Sequence, residues 1–262
     1  MTKEFGKKYW DVLWEKLEQE GNVGLDYVIN PYFYPEIISL LAQTPRALVV
    51  DFGCGTNLMG IQLLYGYSDS IAALKNTVGL DHARFNTMLY LGIEGQNELV
   101  KRLQSYIKDL GKPTNIATVE ARVEKIGKNF FDAKSIDLCV SRNFLMHLSV
   151  ADYKKHIDNV HTILKKGGSY VFAILNPAYE CLKVGRELKN NERYDFSHGR
   201  RGEHGTFYHY YKTLEQYESV MSEFKIIKRI SCYPVSEQFR STHKRYYNPT
   251  VPMALVYVLE KN

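Results

Sequence analysis

The sequence predicts an α/β fold built on a mostly parallel sheet. Two observations lead to this. Short apolar segments alternate with amphipathic, helix-periodic segments along most of the chain, and such alternation means βαβ crossovers with helices on both sheet faces. The first apolar segment, Arg46-Ala47-Leu48-Val49-Val50-Asp51, runs straight into the glycine turn Phe52-Gly53-Cys54-Gly55. In open sheets of this kind ligands bind beyond the carboxyl ends of the strands, where the strand order reverses.

The elements are read in order. Residues 3–20 are predicted helical, because Trp10, Leu13, Trp14 and Leu17 share one face. Gly21-Asn22 and Gly24 stop that helix. A second helix is expected from Pro35 to Ala42, ending before Thr44-Pro45. After the first strand a helix follows from about Leu58. Thr77 to Asp81 is expected as the second strand, ending in an acid. Glu98 to Leu110 has the spacing of an amphipathic helix, and Asn115–Glu120 and Ser135–Ser141 read as strands three and four. Ser149 with Asp152 three residues on resembles a capping box. Behind it Val150, Tyr153, Ile157, Val160 and Leu164 keep a helical period, and Lys165-Lys166-Gly167-Gly168 is expected to close that helix. Ser169–Leu175 is the fifth strand, stopped by Asn176-Pro177. Residues 178–212 read as irregular and rich in Tyr, His and Arg. A helix over Leu214–Phe224 and strands over Lys225–Tyr233 and Ala254–Lys261 complete the chain.

Composition bounds the function. The 262 residues are 45% hydrophobic and 24% charged, which excludes a disordered chain. The longest clean apolar runs, such as Tyr170–Leu175, fall far short of the ~20 residues that cross a bilayer. With no basic-then-apolar leader before the first helix, a cytoplasmic protein without a membrane partner is expected. The net charge of +5 is dispersed rather than gathered in a stripe, which argues against a nucleic-acid partner. Four well-separated cysteines form no C-x-x-C pair, so neither a metal nor a disulfide framework is expected. Twenty tyrosines suit surfaces that grip an organic ligand.

The glycine turn is not a dinucleotide fingerprint. Its third glycine position holds Leu58, and Gly60 comes two residues late. Asp51, before the glycines, would oppose a phosphate and suits a cationic or amine-bearing ligand. Asp81 could accept both hydroxyls of a ribose, or simply cap a helix.

Taken together, Val49-Val50-Asp51-Phe52-Gly53-Cys54-Gly55-Thr56, Gly79-Leu80-Asp81, Ser135 to Val140 leading to Leu145-Met146-His147-Leu148, and Leu164-Lys165-Lys166-Gly167-Gly168 resemble the class I S-adenosylmethionine-dependent methyltransferases. The resemblance covers about Leu48 to Pro177. It implies a Rossmann-like seven-stranded sheet with an antiparallel last strand, with S-adenosylmethionine as cofactor and S-adenosylhomocysteine as product. It further implies that Gly53 and Gly55 pass under the methionine part of the cofactor, which Asp51 faces. Asp81 takes the ribose, and His82 lies beside the adenine. The usual acid near the adenine amino group is replaced by Arg122, which could stack on the base, or the backbone of Val123 could bond it. Ser141 and Arg142 lie under the sulfonium.

The expected organisation is an N-terminal helical lid over 1–45 and a methyltransferase domain over 46–262, with a substrate-binding insertion at about 178–212. Within the insertion His198, His204, His209, Phe207, Tyr208, Tyr210 and Tyr211 crowd a short stretch. Alternation there suggests an edge strand facing a pocket. Tyr179, Tyr208 and Tyr210, with Tyr9 and Trp10 from the first helix, are the expected substrate wall. His209, His204 and His147 are the candidate bases. The expected partner is a small-molecule acceptor methylated at O or N, and the expected state is a monomer or homodimer. An RNA methyltransferase, a non-catalytic S-adenosylmethionine- or nucleotide-binding module, and an NAD-dependent oxidoreductase are the competing readings.

Overall fold

A computed structural model describes residues 25–44, 46–55, 59–60, 63, 87–109, 114–127, 129–195, 208–235, 237–242 and 248–262. The expected first helix over residues 3–20 and the segment 64–86, with Thr77–Asp81, lie outside them.

The main sheet has seven strands: β1 (Leu48–Phe52), β2 (Leu89–Glu94), β3 (Ile116–Glu120), β4 (Ile136–Arg142), β5 (Leu164–Leu175), β8 (Phe224–Cys232) and β9 (Ala254–Lys261). Their order is β3-β2-β1-β4-β5-β9-β8. The first five run parallel, and β9 is antiparallel to both β5 and β8. The order reverses between β1 and β4, so the switch point lies at the tips of those strands. The place beside β1 belongs to Leu89–Glu94, so the acid ending the second described strand is Glu94.

Both faces are buried along β1, β4, β5 and β9, which divide them by period two, while the edge strand β8 is mostly exposed. Along β5, Val171, Ala173 and Leu175 enter one core with Val49, Leu138 and Val140. Tyr170, Phe172 and Ile174 enter the other with Val50, Phe52 and Cys139. Helix α1 (Asn30–Gln43) covers the first face with Phe33, Tyr34 and Ile37, all 0% exposed. That part of the expected lid is therefore a layer of the core. The helix starts before Pro35, because a proline so early removes one hydrogen bond and the buried aromatics around it offset the loss. Helix α2 (Asn97–Asp109) follows β2. Helix α3 (Val150–Ile163) covers the second face, and the Ser149 side chain caps it by accepting the Asp152 N–H at 3.1 Å.

The structure differs from the expectation at Lys165–Gly168. Helix α3 ends at Ile163, and Leu164 already pairs with Ile136. The cap comes from the far end of the chain. Lys261 Nζ on β9 donates to the carbonyls of His161 at 2.5 Å and Leu164 at 2.8 Å. Helix α5 (Leu214–Ser219), opened by a Thr213/Gln216 capping box, is shorter than expected, because Phe224 turns into β8. A short α6 (Glu237–Thr242) precedes β9.

The described residues of the insertion form regular elements where expectation made it irregular. Asn176 caps α4 (Pro177–Val184) by accepting the Ala178 N–H at 3.1 Å. β6 (Arg193–Asp195) then pairs antiparallel with β7 (Tyr208–Tyr210). Leu188, Tyr194 and Tyr211 form a small core of their own beneath this pair. No helix among the described residues is long and apolar enough to cross a membrane.

The Lys261 cap gives the first prediction. Lys261→Met keeps the apolar stem and removes both charge-assisted bonds. It should destabilise the protein by ~1–3 kcal/mol, lowering Tm in a calorimetric scan by several degrees; an unchanged Tm would leave the helix end capped by other means.

Candidate active site

At the switch point the chain brings three charged side chains to one sheet face. Asp51, one residue before the end of β1, and Glu94 and Arg142, which end β2 and β4, lie on the face that α1 covers. Between them lies the expected turn. Gly53 and Gly55 have φ of +68° and +59°, left-handed values that favour glycine. The turn is held from β2: the Ile93 carbonyl accepts the Gly53 N–H at 2.8 Å and the Cys54 N–H at 3.1 Å. Glu94 Oε2 accepts the Gly55 N–H at 3.0 Å. A Cβ on Gly53 would run into the Phe144 ring, so the second residue after β4 seats directly on the turn.

Asp51 is 1% exposed, and Tyr90 donates its hydroxyl to Asp51 Oδ2 at 2.5 Å. Gly60 makes room for that phenol; a Cβ there would meet the Tyr90 ring at 2.6 Å. The glycine two residues late for a dinucleotide motif thus serves the acid instead. Burial pushes the Asp51 carboxyl up to about 7, against the pull of the Tyr90 hydrogen bond and the Arg142 charge. Burial also raises Glu94, against its backbone N–H bonds. Arg142 is held from α1, donating to Asn30 Oδ1 at 2.5 Å, with its guanidinium 5.7 Å from the Tyr34 ring centre. Ser141 points to the other face, buried, its hydroxyl 2.7 Å from Tyr170 Oη, which also lies 3.0 Å from His156 Nε2.

A second group gathers past the tip of β4. His147 ends the short turn Leu145–His147 and donates Nδ1–H to the Tyr208 carbonyl at 3.1 Å. Its ring meets the His209 ring edge-on at 5.0 Å. His209 is 1% exposed, with Nδ1 3.1 Å from Glu180 Oε1, which also accepts the Tyr194 hydroxyl. Lys212 fastens strand to turn by donating to the carbonyls of Tyr210 at 3.0 Å and Leu145 at 3.2 Å. Burial pushes His147 down to about 3, with His209 and Lys212 adding to the effect, so its imidazole is neutral at pH 7. Burial likewise raises Glu180 and lowers Lys212, each partly offset by the other's charge.

Of the expected site residues, the structure brings Asp51, Gly53, Gly55 and Arg142 to one face of the switch point. His147, His209, Tyr208 and Tyr210 come together beside it. His209 faces a buried cluster rather than an open wall, and the half-buried face of β7 carries Tyr208 and Tyr210. Arg193 lies over the Tyr208 ring at 3.9 Å. Tyr179 is 3% exposed and packs in the core, not along a wall. Arg122 is exposed and pairs with Glu124, while the Val123 side chain is buried. Asp81, His82, His204, Tyr9 and Trp10 lie outside the described residues. Sequence reasoning missed Glu94, Tyr90, Glu180 and Lys212. Glu94 had a signal, the apolar run Leu89-Tyr90-Leu91-Gly92-Ile93 ending in an acid.

The donor set fits a zwitterionic nucleoside cofactor. A buried carboxylate at β1 suits an ammonium, and a second at β2, with lone pairs to spare, suits a vicinal diol. Residues 50–172 match the methyltransferase domain family. The matched stretch runs from within β1, across the glycine turn, through most of β5, so this part of the chain is similar to a methyltransferase domain. Similar solved structures include an S-adenosylmethionine-dependent methyltransferase from Mesorhizobium loti, at 18% identity and TM-score 0.58, covering 92% of this chain and 99% of that one. Another, from Methanosarcina mazei, has 13% identity and TM-score 0.58 and covers 87% and 97%. The geranyl diphosphate C-methyltransferase of Streptomyces coelicolor A3(2), in complex with Mg2+, geranyl-S-thiolodiphosphate and S-adenosyl-L-homocysteine, has 11% identity and TM-score 0.51 and covers 83% and 70%. At such identities the likeness is one of fold. No curated protein matches the chain.

The buried acid gives the second prediction. A carboxyl whose folded pKa stands near 7, above its ordinary value of 3.8, stabilises the fold below about pH 4 and loses that contribution as pH rises through 7. Asp51→Asn keeps an acceptor for Tyr90 and cannot ionise. The Tm difference, variant minus wild type, should grow in the variant's favour from pH 4 to about 7 and then level off. A difference independent of pH would mean that Asp51 ionises in the folded state at its ordinary value.

Proposed function

We propose that this chain is an S-adenosylmethionine-dependent methyltransferase that acts on an oxygen or nitrogen of a small, aromatic or apolar organic acceptor. The observation that carries this reading is the meeting of His147 and His209, rings 5.0 Å apart, between the β4 tip and a hairpin that lies outside the main sheet. The sequence of that unit supports it. Lys183, Arg186, Lys189, Arg193, Arg200 and Arg201 are offset by Glu187, Glu192, Asp195 and Glu203, while tyrosines abound. That balance favours a flat or apolar molecule over a phosphate-rich polymer.

The cofactor supplies an electrophilic methyl group on a sulfonium. The chain does the rest. Asp51, once ionised, holds the ammonium beside it. Glu94, rather than Asp81, accepts the ribose hydroxyls, because it ends the strand next to β1 on the face of Asp51. Arg142, steadied by Asn30, stands on the opposite side of the turn. His209, with His147 against its ring, takes the proton that an acceptor hydroxyl or ammonium gives up, and alignment of acceptor with methyl supplies most of the rate.

The ribose assignment yields the third prediction. Glu94→Gln keeps the Gly55 contact but loses the charge, and S-adenosylhomocysteine affinity by calorimetry should fall by about tenfold. Asp81→Ala should stay within about twofold on the same principle; a large loss there would return the ribose to Asp81.

The acceptor is tested by a mass screen for ~14 Da additions across a metabolite library and total RNA, the mass of one methylene per transfer. A modified small molecule is expected; label entering only RNA would overturn the reading. On the acceptor so found, Tyr208→Ala and His209→Ala should leave S-adenosylhomocysteine affinity within about twofold. The His209 variant should lose turnover by ~10²-fold or more. Wild-type turnover in both would place the acceptor away from the hairpin.

A further inference from the structure

Glu180 has no part in the sheet's packing and no role in the reading so far, yet it is 1% exposed. It projects from the first turn of α4, a helix set by the Asn176 cap. Tyr194 and His209 are cross-strand partners in the β6–β7 ladder, and both turn to the same oxygen, Glu180 Oε1. Glu180 Oε2 is buried and has no hydrogen-bond partner among the described residues.

These contacts decide where the proton on His209 sits. Tyr194 spends its hydroxyl proton on Glu180, so it presents a lone pair to His209 Nδ1, 3.3 Å away. Nδ1 therefore faces two oxygens, at 3.1 and 3.3 Å. A lone pair on Nδ1 would be repelled by both; a proton satisfies both. The remaining ring nitrogen, Nε2, is then the basic one.

We propose that Glu180 is the positioning residue of a Glu180–His209 pair, holding the proton on Nδ1 so that Nε2 receives the acceptor's proton. This rests on the reading that His209 serves the acceptor. In the balanced step, the acceptor's X–H bond breaks as X–CH3 forms. The proton goes to Nε2, and the bonding pair of the broken S–CH3 bond stays on sulfur as a neutral thioether. The new imidazolium lies against the Glu180 carboxylate, whose Oε2 is open to it. Around the pair stand Tyr194, Lys212 and the neutral His147, which is fixed by the Tyr208 carbonyl on the same strand and forms the side nearest the β4 tip. Lys212, fully buried, is spent on the carbonyls of Leu145 and Tyr210 and does not compete for Oε1.

The test reads the proton directly. Long-range 1H–15N spectra of the full chain, with His209 assigned by loss of its signals in His209→Gln, should show Nδ1–H and a pyridine-like Nε2. This should hold with and without S-adenosylhomocysteine. In Glu180→Gln, and more weakly in Tyr194→Phe, that preference should fade. Turnover of Glu180→Gln on the acceptor returned by the mass screen should fall ~10²-fold with S-adenosylhomocysteine affinity within about twofold, and Glu180→Asp should recover part of it. A wild-type His209 protonated on Nε2 would overturn the proposal without any variant having to fold. So would Glu180→Gln keeping full turnover while His209→Ala loses it. If instead His209→Ala keeps full turnover while the Nδ1–H tautomer is found, the acceptor-base reading fails, and the catalytic claim for Glu180 with it.

Discussion

A carboxylate almost without solvent, at the tip of the strand in the middle of the sheet, sets the constraints on everything around it. Asp51 is costly to bury, and its surroundings are arranged about that cost. Tyr90 must reach across from β2 with its hydroxyl, Gly60 must lack a side chain so that the phenol fits, and Arg142 must arrive from β4 with a compensating charge. Arg142 in turn needs Asn30 on α1. Elements distant in sequence thus converge on one acid. The convergence locks β1, β2 and β4 to a common face at the switch point.

The sheet then divides the work between its faces. The α1 face carries the charged strand tips Asp51, Glu94 and Arg142, chemistry suited to a cofactor that bears an ammonium and a ribose. The turn after β4 leads away toward the insertion, where histidines and tyrosines gather around the one buried carboxylate of Glu180. Phe144 stands between the two, its ring against Gly53. Because the hairpin is stitched to that turn by His147 and Lys212, the proposed acceptor side and the proposed cofactor side share one root, the end of β4. A methyl transfer needs this more than it needs any single reactive group, since its rate depends on alignment.

What the sequence made legible follows the range of the interactions. Strands β3, β4, β5, β8 and β9 were readable because apolar period and flanking turns are local signals, and so was the Ser149 cap. The glycine turn was readable because left-handed backbone demands glycine. Two apolar runs, one ending in Asp81 and one in Glu94, look alike locally; the second pairs with β1, and the first lies outside the described residues. The Lys261 cap on α3 joins residues about a hundred positions apart, and no local pattern announces it. The helix after Asn176 escaped because Pro177 was taken as a stop, when the same proline is favourable in a first turn. Glu180 escaped with it, since its partners become neighbours only once the hairpin has folded back.

The cluster under the hairpin is expensive by the same physics that governs Asp51. Glu180, His209 and Lys212 are each about as buried as the apolar core. Well-packed hydrophobic groups of similar volume in such a place are often as stabilising as a buried charged network, or more so. Leu188, Tyr194 and Tyr211 already supply an apolar core that closes the hairpin. Stability alone therefore does not account for a carboxylate, an ammonium and two imidazoles at this spot, one of them with its tautomer set by two oxygens. A proton-handling role accounts for each of them: the carboxylate orients, the imidazole exchanges, the ammonium fixes the strand to the turn, and burial keeps bulk water from supplying the proton instead.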